Sequence, residues 1–251
     1  FTAQRTLISK FIFNTRELMK NIDIRKTLDI PKIMLYHEWL ATHIYDEGES
    51  GFHKQLTTKV TETYFDSLEL AKDARILDLG CGPGYFLDEI KQRGYTNYLG
   101  VTLSQGDIDL CKSKGHDVEA YDLSFLPQHK GFHDESVDFI FLRHALEHSP
   151  YPLFTLAEYN RIMKQNAIMY IEVPAPDCER GHEFNLNHYS IFGERMLAAL
   201  LQRTGFAIQK FDTLEFDLNM GSTEEGSEDT KRVRERFFCL AVKKVQSLDL
   251  K

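Results

Sequence analysis

Four cysteines in 251 residues, Cys81, Cys111, Cys178 and Cys239, stand far apart without a CxxC pair. That spacing argues against both a zinc cluster and a disulfide framework, and it fits a reducing, cytoplasmic setting. No apolar run approaches the roughly 20 residues that a membrane-spanning helix needs, so no membrane partner is expected. No segment has the design of a signal peptide. Basic residues are outnumbered, with 30 Lys and Arg against 38 Asp and Glu and a net charge of -8. Long-range attraction of nucleic acid is therefore set aside, and a small-molecule acceptor is expected. No internal repeat is visible, and nothing in the pattern specifies an oligomer. The chain begins at Phe1 rather than Met, as a piece of a longer protein would.

What is present suffices for one full α/β core with an appendage, since 42% of residues are hydrophobic and 27% charged. The organising stretch is Arg75-Ile-Leu-Asp-Leu-Gly-Cys-Gly-Pro-Gly-Tyr-Phe86. Residues 75–79 are apolar and β-compatible, Gly80, Gly82 and Gly84 permit a tight turn, and Phe86, Leu87 and Ile90 have helical spacing. Strand, glycine turn and helix N-terminus together make a nucleotide-binding corner. Ligands can lie against the bare backbone there, and free N–H groups carry partial positive charge. Asp78 places an anion just before the turn, which suits a cationic group better than a pyrophosphate.

Residues 1–70 have helical spacing. Leu7, Ile8, Phe11 and Ile12 form one stripe, and Met34, Leu35, Trp39, Leu40 and Ile44 form another, both read first as packing faces. The polar, glycine-bearing stretch 45–53 is expected to hinge this helical arm or lid against a second domain, residues 71–251. Beyond the turn, strands and helices alternate. Strands are predicted at 98–102, 117–121, 136–142, 167–173, 206–216 and 236–242. Helices are predicted at 105–114, 152–163 and 191–203, the last capped by Ser190, and the acidic stretch 221–230 reads as a loop. Such alternation predicts a doubly wound sheet with its ligands at the carboxyl edge.

The segment Asp78-Leu-Gly-Cys-Gly-Pro-Gly84 resembles the first motif of the class I S-adenosylmethionine (SAM) dependent methyltransferases, and the likeness extends over about residues 75–206. It is closest to the type 11 small-molecule group. The rival is the dinucleotide fingerprint G-x-G-x-x-G, whose glycine spacing is one residue longer. The resemblance implies a Rossmann-like sheet and SAM as cofactor. Asp78, Gly80, Cys81 and Gly82 would lie at its methionine end. Where the family has an acidic ribose ligand, this chain has Thr102, followed by Leu103 as in the cyclopropane fatty-acid synthase group. Gln105 and Asp107 are candidates for the missing contacts. Asp122 matches the position that accepts the adenine amino group, with Leu123 offering its backbone N–H; the plainer reading of Asp122 is a turn cap.

After the fourth strand comes Leu142-Arg-His-Ala-Leu-Glu-His148, and farther on His182-Glu-Phe-Asn-Leu-Asn-His188. The first matches the type 11 His-x-x-Glu-His segment. Three readings are open. Glu147 and His148 could simply hold the loop by hydrogen bonds. His144 or His188 could be a general base, as imidazole suits near neutral pH. His144, Glu147, His148 and His188 could together hold a divalent cation that lowers the pKa of an acceptor hydroxyl. This last set resembles the Glu-x-x-Glu-His box, with its distant histidine, of the metal-dependent O-methyltransferases of small-RNA ends and ubiquinone synthesis. With His144 replacing the first Glu, Mn, Fe, Co, Ni or Zn fit better than Mg. The expected activity is O-methylation of a small polar metabolite. The alternatives are a noncatalytic binding module and a C- or N-methyltransferase with a histidine base. Arg143, Arg180 and Arg195 read as arginines near the mouth.

Overall fold

The computed structural model describes residues 47–220 and 231–248, together with Trp39 and Ile44. The stripe at residues 7–12 and the acidic stretch 221–230 lie outside the described residues. Of the second stripe, Trp39 and Ile44 are described, and both are exposed. Residues Ile44–Lys251 form one compact unit.

The unit opens with α1 (Gly51–Val60), whose first turn is capped by the Ser50 hydroxyl accepting the His53 N–H. Its first residues thus occupy the stretch expected as a hinge. The helix continues through a π turn at Thr61–Phe65. That turn drives Phe65 into the sheet, with its ring 4.9 Å from Phe139 and 5.4 Å from Phe86. Residues 51–65 therefore pack into the same core as the glycine turn.

Next come β1 (Ile76–Leu79), α2 (Tyr85–Gln92), β2 (Tyr98–Val101), α3 (Gln105–Ser113), β3 (Val118–Glu119) and β4 (Val137–Arg143). They are followed by α4 (Pro152–Ile162), β5 (Met163–Pro174), α5 (Glu194–Arg203), β6 (Phe206–Met220) and β7 (Lys231–Lys244). The seven strands lie in the order β3-β2-β1-β4-β5-β7-β6. Pairing is parallel from β3 through β5, and β7 runs antiparallel to both β5 and β6. The doubly wound sheet is as expected; the antiparallel hairpin at one edge makes it mixed. Helix α5 starts three residues later than expected, capped by Gly193. Ser190 instead donates its hydroxyl to the Ser149 carbonyl.

Central strands are buried on both faces, which is why β4 reads Val-Asp-Phe-Ile-Phe-Leu almost without polar interruption. Phe139 and Phe141 point to one side, where Phe86 stacks on Phe141 at 3.9 Å and Tyr170 lies 5.1 Å away. Ile140 and Leu142 point to the other, among Leu77, Leu156 and Leu201. The strand order reverses between β1 and β4, so their carboxyl ends splay apart and leave a crevice.

Candidate active site

That crevice opens into a cavity of about 860 Å³. Asp78, Gly80 and Cys81 supply one wall and Arg143, His144, Glu147 and His148 a second. His182, His188, Glu235 and Phe237 line the far side, and His53 of α1 reaches in from above the sheet edge.

Asp78 is 3% exposed. Burial, followed by the neighbouring Cys111, raises its carboxyl well above the usual range. An anion so placed favours a cationic ligand end, whose charge offsets the cost of burial. Gly80 has φ +79°, and a Cβ there would lie 2.5 Å from that of Ala145. Only glycine fits on both counts. Across the turn, Glu47 donates its N–H to Asp107 at 3.3 Å, Glu49 pairs with Lys114 at 3.0 Å, and the Ser50 N–H donates to the Tyr85 hydroxyl.

The other cofactor residues expected from sequence, Thr102, Leu103, Asp107, Asp122 and Leu123, follow β2 and β3 in the chain and are not among the residues that line this cavity. Thr102 is half-buried, and its hydroxyl accepts the Ser104 N–H at 3.3 Å; Leu103 is exposed. Asp107 is buried in the first turn of α3, where its carboxylate takes the Glu47 N–H rather than pointing outward. Asp122 accepts the Ser124 N–H at 2.8 Å, the turn-capping contact weighed above, and Leu123 packs toward Gly80. Gly82, with φ +48°, faces the Glu47 carboxylate.

At the other wall, β4 and β5 pair Arg143 with Glu172. The Arg143 Nε and His144 Nε2 both lie 2.8 Å from Glu172 Oε1, and Tyr170 donates its hydroxyl to Oε2 at 2.6 Å. The Oε1 approaches are close ionic contacts rather than aligned hydrogen bonds. His144, turned inward by φ +49°, also has its Nδ1 3.4 Å from Glu147 Oε1. Burial and the Arg143 charge work against its protonation, yet Glu147 and Glu172 prevail and lift it to about 9. Burial opposes ionisation of Glu172, but Arg143 and then His144 hold it at about 2. His144 was expected as a ligand or base. Its Nε2 faces Glu172 and its Nδ1 faces Glu147, so it stands outside the set of ligating atoms that Glu147, His148 and His188 bring together.

Glu147, His148 and His188 do come together, their ligand atoms within 4.8 Å of one another. His148 Nδ1 donates to the Asn187 carbonyl at 2.9 Å and His188 Nδ1 to the His182 carbonyl at 3.1 Å. Since a carbonyl only accepts, Nδ1 carries the proton on each ring, and the other nitrogen of His188 lies 3.3 Å from the Asn185 amide. Burial holds His188 down to about 4, so it is neutral at physiological pH. Glu147 is 1% exposed, and neither carboxylate oxygen accepts a hydrogen bond among the described residues. Of the arginines near the mouth, Arg180 lines the cavity and Arg195 is exposed. His53 and Glu235 line the cavity and Glu172 holds two of its lining residues, Arg143 and His144; the sequence did not single out these three. Burial and the Arg143 charge bring His53 to about 4.

Comparison with known proteins bears on this geometry. Residues 52–210 match the family model described as a methyltransferase domain, and the chain belongs to that family. It is a SAM-dependent methyltransferase by fold and family. No curated protein matches it. A SAM-dependent methyltransferase from Archaeoglobus fulgidus superposes with TM-score 0.59 at 20% identity, covering 79% of this chain and 96% of its own. One from Methanosarcina mazei gives 0.54 at 20% identity, covering 71% and 96%. The [4+2]-cyclase SpnF gives 0.58 at 17% identity, covering 80% and 84%. At these identities the likeness is one of fold. Asp78 and the glycine backbone suit the cationic methionine end of SAM, so the residues present fit the cofactor the family implies.

Proposed function

We propose that the chain transfers the methyl group of SAM to an oxygen of a small polar acceptor, with a divalent cation held by Glu147, His148 and His188. The observation that carries this reading is the Glu147 carboxylate, buried beside His144 at 3.4 Å and with the ligating nitrogens of His148 and His188 inside 4.8 Å. Anions so placed are stabilised by a cation. When bound, a divalent cation lowers the pKa of a hydroxyl and steadies the charge that develops on its oxygen. Asp78 and the backbone from Gly80 would hold the methionine end of the cofactor. His148 and His188 are kept in the ligating tautomer by the Asn187 and His182 carbonyls. His144, paired with Glu172 through Nε2, holds the Glu147 carboxylate through Nδ1. Donors of two nitrogens and one oxygen favour Mn, Fe, Co, Ni or Zn over Mg.

Turnover is measured after exhaustive EDTA treatment, with and without added Mn or another divalent ion, and in His148→Ala. Loss in EDTA with recovery on adding metal is expected, as is a fall of about 10–100-fold or more in the variant. Full activity in EDTA would return the proton-accepting role to neutral His188. A second reading draws on SpnF, a cyclase on this fold: binding of S-adenosylhomocysteine without methyl transfer to any hydroxylated acceptor would favour it.

A further inference from the structure

At the far side of the same cavity, the loop that follows β5 and the facing strand β7 carry a second set of ligating atoms. Cys178 Sγ, His182 Nε2 and a Glu235 carboxylate oxygen all lie within 4.8 Å of one another. The left-handed Asp177 and Gly181 (φ +57° and +66°) fold the loop back, and the Gly181 N–H closes the turn onto the Cys178 carbonyl at 3.0 Å. This brings Cys178 and His182 to the same side, facing β7.

There they meet one atom. Glu235 Oε1 lies 2.8 Å from His182 Nε2 and 3.7 Å from Cys178 Sγ, and also accepts the Arg236 N–H at 3.0 Å. Glu235 is 2% exposed, and His182 is its one ion-pair contact among the described residues. A carboxylate buried without a permanent cation is costly. Cys178 is a free thiol, half-buried where the other three cysteines are buried.

We propose that Cys178, His182 and Glu235 hold one divalent cation of the zinc class, which pins the loop at residues 175–190 to β7. Sulfur, nitrogen and oxygen donors in one set suit borderline-soft ions, zinc above all, and three protein ligands leave the fourth tetrahedral position open. Binding displaces the thiol proton, and the His182 ring proton moves from Nε2 to Nδ1, so one proton is released per ion. The pinned loop carries Asn187 and His188, whose ring stands 5.4 Å from that of His182. The cation would thus preorganise the neighbouring site while being distinct from any ion held there.

The test uses the full chain, reduced and stripped of metal, titrated with Co²⁺ alone. Sulfur-to-cobalt charge-transfer absorption in the near ultraviolet is expected to saturate at one equivalent. Cys178→Ser should abolish that band, whereas His148→Ala should keep it. Independently of any variant, Zn²⁺ should slow alkylation of Cys178 in the native chain by roughly tenfold or more, because a ligated thiolate is not free to react. Absence of the band in the native chain, its persistence in Cys178→Ser, or undiminished alkylation with Zn²⁺ would each overturn the proposal. Binding of S-adenosylhomocysteine, followed in the same samples, reports separately on the methyltransferase site.

Discussion

Replacing Glu172 with Gln removes the one anion that Arg143 and His144 share, and the size of the effect follows from the contacts. Glu172 is held at about 2, where a glutamate ordinarily titrates near 4.5. At 1.36 kcal/mol for each tenfold change in proton affinity, that difference corresponds to about 3 kcal/mol of folding free energy. The lift of His144 from 6.5 to about 9 comes first from Glu147 and then from Glu172, and the Glu172 share is the same contact seen from the other partner, so it is not added. Gln also leaves two cations facing each other in a buried site, so the expected loss is roughly 3–5 kcal/mol. Urea unfolding followed by circular dichroism measures it, in EDTA so that no ion sits at Glu147. The pH dependence supplies a second signature. The depressed Glu172 contributes stability above pH 4.5, lost as pH falls toward 2. The raised His144 contributes below pH 6.5, lost as pH rises through about 9. Native stability should therefore be greatest between these limits and fall on both sides, and both slopes should flatten in Glu172→Gln. A loss under about 1 kcal/mol, or unchanged slopes, would refute the reasoning.

Two further substitutions separate cofactor contact from folding. Asp78→Asn should weaken S-adenosylhomocysteine by about 10–100-fold in calorimetric titration. Because burial already disfavours the charged aspartate, its urea midpoint should hold or rise; equal affinity would show that Asp78 does not meet the ligand's charge. Gly80→Ala must accept both φ +79° and a 2.5 Å approach to Ala145. Its thermal unfolding should drop by the equivalent of about 2 kcal/mol or more, and an unchanged midpoint would mean the turn relaxes freely.

The glycine turn was legible because everything that defines it is local: a buried strand, three glycines and a helical period within one short run. Strand and helix positions followed from period and turn residues. Where they slipped, tertiary packing had overridden local signals, as with Ser190, drawn off its cap by the Ser149 carbonyl. Glu172 was invisible for a different reason. In sequence it is a lone acid in an apolar strand, and only the lateral order of β4 and β5 sets it beside Arg143. The His-x-x-Glu-His spacing conveyed that His144 meets Glu147, but not that Glu172 occupies the other ring nitrogen. Glu235 likewise needed the antiparallel placement of β7 before it could meet a loop residue 53 positions earlier.

The contact between Gly80 and Ala145 has a consequence for how this chain can vary. The turn after β1 and the loop after β4 touch across a gap one methyl wide. Position 80 is thereby fixed twice over, once by its dihedral angle and once by its neighbour. A library randomised at both positions should return glycine at 80 whatever stands at 145, because shrinking Ala145 relieves the crowding and leaves the dihedral strain untouched.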